Sequence, residues 1–428
     1  MEELMYYVWS QRLAGALRTV DGSDIEILHP GLRNLDAGPD FFNAKVRIGG
    51  TTWAGNVEMH VRASDWHRHR HHDNPAYDSV ILHVVLTADA DIRLSDGEPL
   101  RTVVMQIPPA VMQRYEELTV GATAIPCAAH LADVPAIILH DWQTALAVER
   151  MLGKAARVRD LIEADLASWP AAFYVILARS LGTGINSDAC ERLARSLPYA
   201  YIQKHIDNRL QVEALLLGQA GWLTQPQPGG GTYYDDLRRE YLFLAAKFGL
   251  TPLPAAAWRF ARMRPQASPQ LRVASLAALL CERRNLFDDL MSAPDLATME
   301  RLLTVRLPGW WQTHYSLHPD PSPEVGKGLG RATVRSLVIN AVVPIMLAYA
   351  QWQGDEERSH RAIQMLGELP PESNRYMGEW LAVGVPLRSA FDTQAMLHLY
   401  REYCEPRKCM RCRIGCWLIR HRGDQSSS

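Results

Sequence analysis

The chain has 428 residues, of which 47% are hydrophobic and 21% charged, with a formal net charge of -2. That describes a globular protein of two or three domains, and it excludes a disordered chain, a fibrous one, or a uniformly basic coat for nucleic acid. Seven cysteines over such a length do not make a secreted disulfide framework and fit metal binding in a reducing compartment better.

The opening "MEELMYYVWSQRLAGAL" carries acids where a secretory signal needs bases, and no later apolar run reads as long enough to span a bilayer. A cytoplasmic protein with no membrane partner is expected. Residues 2–18 carry an apolar stripe at helical spacing that ends before the turn signal "VDGSD". From there to about residue 108 the pattern changes to short runs, "DIEILHPG", "NAKVRIGG", "TTWAGNVEMHV", "SVILHVVLTAD" and "LRTVVMQIPP", each bounded by Gly, Pro, Asp or Asn. "SVILHVVL" is almost continuously apolar, as a strand covered on both faces should be, whereas "AKVRI" and "NVEMHV" alternate as half-buried strands do. Residues 1–135 are therefore expected to form an α/β domain in which "GPDFFNAKVRI" and "TTWAGNVEMHV" make a hairpin turning at Gly49-Gly50.

In such a hairpin Asp40 and Glu58 stand almost equally far from the turn, so antiparallel pairing brings them side by side. Two carboxylates on adjacent strands suit Mg2+ or Mn2+, hard ions that one or two protein carboxylates hold together with phosphate oxygens. Downstream, "DWHRHRHHDNPAYDSVILH" packs His67, His69, His71, His72 and His83 close together. On a strand, 67, 69 and 71 would share a face and could converge on one transition metal. The preferred reading is a solvated basic loop touching phosphates through Arg62, Arg68 and Arg70, because arginine neighbours oppose cation binding. His83 has an equal claim to a hydrogen-bonded core role.

After Pro135 the spacing is helical, with segments such as "AAFYVILARSLG", "SDACERLARSL" and "TVRSLVINAVVPIMLAYAQWQG", and residues 136–395 are expected to form an all-α domain. "WRFARMRPQASPQLR", with Arg259, Arg262, Arg264 and Arg272, and the aromatic "WWQTHYSLHP" could grip nucleic acid, but aromatic residues at helical spacing usually serve a core. Residues 396–428 form a cysteine-rich segment in which "EYCEPRKCMRCRIGCWLIR" places Cys404, Cys409, Cys412 and Cys416 close enough to close around one zinc ion or an iron-sulfur cluster. Lys408, Arg411 and Arg422 with their neighbours make it a local basic patch.

The order of a leading helix, Asp at the head of a strand, a hairpin, and Glu-x-basic in the next strand resembles the PD-(D/E)XK nuclease superfamily over about the first 110 residues. "GPD" supplies the Pro-Asp, and "VEMH" supplies the Glu-x-Lys equivalent with His60 at the lysine position. The resemblance implies a restriction-endonuclease-like mixed sheet. It makes Asp40 and Glu58 metal ligands aided by the Met59 carbonyl, His60 a catalytic neighbour, Glu3 an accessory acid, and DNA or RNA the partner. Some nucleases of that superfamily bind an iron-sulfur cluster through one early and three late cysteines, which makes Cys127 an alternative to Cys416. "HPGLRNLDAGPDFFNAKV", "WAGNVEMHVRASDWHRH", "YDSVILHVV", "ALLLGQAGWL", "WRFARMRPQ" and "CMRCRIG" together resemble the bacterial family DUF2851, which implies no activity of its own. The expected function is a metal-dependent nuclease; the alternatives are a non-catalytic nucleic-acid-binding or assembly protein and a zinc hydrolase built on the histidine run.

Overall fold

A computed structural model of the chain describes residues 1–421 except 35, 122, 167, 228–230, 262 and 322–327. Arg262 and Arg422, named above, lie outside the described residues. The chain divides into two units, one formed by Met1–Trp142 with the stretch from Leu399 onward, the other by Gln143–His398. The cysteine-rich segment, expected as a separate third region, thus belongs to the first unit.

The first unit opens with helix α1 (Glu2–Ser10). It is shorter than the apolar spacing predicts, because the backbone of Arg12 turns left-handed at φ 53° and Leu17–Arg18 extends as strand β1. Strands β2 (Asp24–His29), β3 (Leu32–Arg33), β4 (Phe41–Ile48), β5 (Thr51–Arg62), β6 (Val80–Thr87) and β7 (Thr102–Val104) follow. They form a seven-stranded sheet in the order β1-β2-β4-β5-β6-β7, with β3 added beside β4. The sheet is mixed: β1 to β5 pair antiparallel, whereas β5, β6 and β7 run parallel. Thr19, just beyond β1, bridges antiparallel to Val103 of β7, so the two ends of the strand order meet.

Gly49 and Gly50, at φ 54° and 86°, make the expected two-residue turn between β4 and β5, a conformation that L-residues with side chains avoid. From Ile48↔Thr51 to Ala44↔Gly55 the pairing is regular, and it then shifts by one residue so that Phe41 faces Val57. The extra residue lies on β4, where Asn43 adopts φ 54°, a value that Asn tolerates better than most residues. A second one-residue shift lies on the other flank of β5, between Asn56↔Val80 and Val57↔Leu82. It leaves Ile81 as the surplus residue beside Gly55, where a Cβ would stand 2.4 Å from Ile81 Cγ2.

Between β5 and β6 the chain forms the single turn α2 (Asp65–Arg68) and two short 3-10 turns, His71–Asp73 and Pro75–Tyr77. Their buried Trp66 and Tyr77 pack with Ala63, Val80, Val85, Ile92 and Leu100 into one small apolar cluster. Helix α3 (Pro109–Val120) follows β7, and the C-terminal stretch ends in the helix Arg413–His421.

The second unit is helical, as predicted, and is built around one extensive apolar core. Trp311 is buried there with its indole N–H donating to Tyr233 Oη at 2.8 Å, and Trp310 stacks on His314 at 3.7 Å. These aromatics therefore pack inward, and Arg272 is likewise buried. One feature departs from the expectation of no membrane-length apolar run. Arg331–Gln353 is continuously helical, long and apolar enough to cross a bilayer, but 67% of its most apolar window is buried inside the structure, as in a core helix. A π turn at Val338–Val342 precedes Pro344 within it, accommodating a residue that cannot donate to an α-helical ladder.

Candidate metal centre

The register shift at Asn43 determines what Asp40 can reach. Opposed residues share a face of a sheet, and a slip of one residue exchanges the faces. Continued without the shift, the pairing would set Asp40 against Met59; with it, Asp40 comes level with Glu58. The Asp40 N–H donates to Glu58 Oε2 at 3.0 Å and the Met59 N–H donates to Asp40 Oδ2 at 2.9 Å. Met59 thus contributes its amide to the acid pair. The shift at Ile81 acts in the same way on β6 and places His83 in register with Glu58.

Four imidazoles complete the cluster. His60 lies two residues along β5 from Glu58, on the same face, with Nδ1 2.8 Å from His83 Nε2 and Nε2 3.2 Å from His69 Nδ1. His71 Nε2 and His60 Nε2 lie 3.3 and 3.6 Å from Glu58 Oε1. One ring nitrogen from each of His60, His69 and His71 falls within 4.8 Å of the others. The histidine run is therefore neither a strand nor simply a solvated loop. The chain reverses at Arg70, φ 58°, so that His71 is buried against His60 and the exposed His69 covers it from the solvent side, while His67 packs on His72 outside the cluster. Tyr77 stacks on His71 at 3.8 Å, and Trp66 packs edge-on against it.

Burial and the neighbouring Glu58 charge raise the Asp40 carboxyl to about 7, and burial raises Glu58 to about 8. Burial also pushes His60 down to about 2, reinforced by His83, His71 and His69, and takes His83 down to about 3. Two acids that resist ionisation together, beside His60 and His83 held neutral by burial, form a set of donors whose charge a divalent cation would balance. In the tautomer ready for a metal, His60 Nδ1–H donates to His83 Nε2 and leaves Nε2 free toward Glu58, the usual way a ligand histidine is oriented.

Residues 2–375 match the family described as protein of unknown function (DUF2851). The chain belongs to that family. No curated protein and no solved structure matches the chain. In this DUF2851 member the matched span contains every residue of the acid and imidazole cluster and ends before "CMRCRIG".

Glu3 does not join the acid pair. Arg33 and Arg411 hold its carboxylate at 3.0 and 2.6 Å, and despite burial these contacts keep it below the ordinary carboxylate range. The α1 residue that reaches the centre is Tyr6, one helical turn further on, whose hydroxyl approaches Asp40 closely enough to lower its proton affinity and whose ring carries the Arg33 guanidinium at 4.2 Å. A Tyr at i+3 from an acid is too common a pattern to have been read as a site member. Among the expected phosphate contacts, Arg68 pairs with Asp65 at 3.0 Å, Arg62 lies 3.6 Å from Asp89, and Arg411 is committed to Glu3. Arg70 and Lys408 are exposed.

The cysteines are gathered differently from the simple spacing. Cys404, Cys409 and Cys412 line one small cavity together with Cys127. Cys416 does not line it, and its thiol donates to the Met410 carbonyl at 3.1 Å.

Proposed function

We propose that the protein is a metal-dependent hydrolase of nucleic-acid phosphodiester bonds, acting on DNA or RNA from the centre at Asp40 and Glu58. The observation that carries this reading is the meeting of the buried Glu58 and the half-buried Asp40 carboxyl groups with the imidazoles of His60, His69 and His71 beside β5. A divalent ion bound there supplies an activated water and offsets the charge that builds on a phosphate under attack. The protein's own groups do the rest. Asp40 and Glu58 provide the negative charge, each held in place by a backbone amide. His60, neutral and backed by His83, offers Nε2 as a nitrogen ligand where the resembled superfamily carries a fixed positive charge. Arg70 and Lys408 remain to meet phosphate oxygens.

The share of nitrogen donors favours Mn2+ over Mg2+, which prefers oxygen throughout. The same share supports a second reading, a zinc hydrolase centred on His60, His69 and His71. Incubation of the protein with single- and double-stranded DNA and RNA in the presence of Mg2+, Mn2+ or Zn2+ tests both. Metal-dependent cleavage that Asp40→Asn and Glu58→Gln each reduce at least a hundredfold supports the proposal, and the ion that restores it separates the two readings. Nucleic-acid binding that needs no metal, with no cleavage under any ion, makes the protein a binding module instead.

A further inference from the structure

Four buried thiols unconnected with the acid and imidazole cluster converge inside the first unit. Cys127 follows α3, Cys404 ends the π turn Tyr400–Cys404, Cys409 opens the 3-10 turn Cys409–Arg411, and Cys412 immediately precedes the helix Arg413–His421. All four are free, all four are buried, and all four line the same cavity, whose other walls are Leu118, Pro126, Tyr403 and Gly415. Gly415 permits the approach: a Cβ there would stand 2.2 Å from the Cys409 carbonyl oxygen.

We propose that Cys127, Cys404, Cys409 and Cys412 hold a thiolate-ligated metal centre, either one zinc ion or an iron-sulfur cluster, and that Cys416 takes no part in it. Thiolates are the ligands both centres share, and each cysteine releases its proton on ligation. Donors that favour a thiolate are already in place around Cys412, which the Gly415 and Ile414 amides and the Trp142 indole approach. Without a metal, burial and the neighbouring sulfurs drive the thiols the other way, to about 12 for Cys127 and about 11 for Cys409. The backbone brackets the cavity independently of any ion: Arg407 donates to the Gly121 and Thr123 carbonyls at 2.7 and 2.8 Å, and Arg114 donates to the Ile419 carbonyl at 2.8 Å. These bonds tie the segments that carry the four cysteines to one another without any ion, and the thiols line a single cavity.

The test uses full-length protein purified without oxygen and measures zinc, iron, acid-labile sulfide and visible absorption, readouts that do not depend on hydrolytic activity. One zinc per chain without colour, or iron with sulfide and a visible band, supports the centre and identifies its kind. Cys127→Ser and Cys404→Ser should each lower metal content at least fivefold, while Cys416→Ser keeps it. Circular dichroism and thiol counting in unfolded protein confirm that each variant is folded and its remaining cysteines reduced. The proposal is overturned by native protein free of zinc and iron, by a folded Cys127→Ser variant that retains full metal, or by a Cys416→Ser variant that loses it.

Discussion

Asp40 and Glu58 are joined through the backbone of one and the side chain of the other: the Asp40 amide donates to Glu58 Oε2 at 3.0 Å while the adjacent Met59 amide returns a bond to Asp40 Oδ2 at 2.9 Å. Each acid is thereby oriented by a group that carries no charge and cannot move independently of the sheet. The arrangement sets where the carboxyls point without relieving the repulsion between them.

That repulsion makes the first prediction. Glu58→Gln removes one buried charge while keeping an oxygen to accept from Asp40, so without added metal at pH 8 the variant should be more stable than the parent, by on the order of 1 kcal/mol. In thermal melts its transition should rise by a few degrees, and the stabilisation that Mn2+ gives the parent should disappear. A variant less stable than the parent, still stabilised by Mn2+, counts against the charge assignment.

The pH dependence has a definite sign. A free histidine is half protonated at about 6.5 and almost wholly neutral by about 7.5, so above that the unfolded chain no longer holds the protons that buried His60 and His83 lack in the native one. Asp40 and Glu58, raised to about 7 and about 8, still hold protons in the native state that an unfolded chain has already lost. Above about 7.5 the native state therefore binds more protons, and metal-free stability falls as pH rises from there through about 8. A bound cation replaces those protons. Melts from pH 6 to 9 with and without Mn2+ should therefore diverge, with the stabilising effect of the ion growing up to about pH 8; a metal effect independent of pH would contradict the assignment.

Asn43 offers a test of register apart from charge. Its φ of 54° is accessible to Asn and Gly and strained for a β-branched residue by about 1–2 kcal/mol. Asn43→Gly should bind Mn2+ as the parent does. Asn43→Val should lose stability by about that amount and lose Mn2+ binding by more than the stability change explains, measured by calorimetric titration on folded protein.

Glu3 and Tyr6 should separate in the opposite order to the superfamily resemblance. Glu3→Gln disturbs partly exposed ion pairs with Arg33 and Arg411, worth about 0.2–1 kcal/mol each, and should leave metal binding within twofold. Tyr6→Phe removes the hydroxyl that holds the Asp40 proton affinity down, raises that affinity further, and should shift the pH at which Mn2+ binds upward.

Much of the first unit was legible because β2, β4, β5, β6 and β7 are bounded by turn chemistry and carry an alternating or continuous apolar pattern, whereas the two-residue β1 and β3 carry none. The Gly49-Gly50 turn placed Asp40 and Glu58 close to each other to within one residue. The remaining residue was not legible: a bulge is a backbone choice at Asn43, and no side-chain pattern announces it. His69 and His71 were grouped with His67 by strand spacing, though a solvated loop was preferred; the reversal at Arg70, which no spacing announces, brings the first two to His60 and leaves His67 on His72. The family of the late cysteines was visible as spacing, but spacing favoured Cys416, whereas the choice of Cys127 depends on where α3 ends in space. In the helical unit, interior helices declared themselves by apolar spacing, while Glu356–Glu368 and Arg375–Ala382, whose buried faces are narrow, did not.

The two one-residue irregularities lie on opposite flanks of β5, one on β4 and one on β6. β5 therefore acts as a ruler against which both neighbours have been advanced by a single notch, bringing Asp40 from one side and His83 from the other to the level of Glu58. Excision of Asn43 would carry Asp40, and excision of Ile81 would carry His83, to the far side of the sheet from Glu58, so the centre can be dismantled by a length change of one residue.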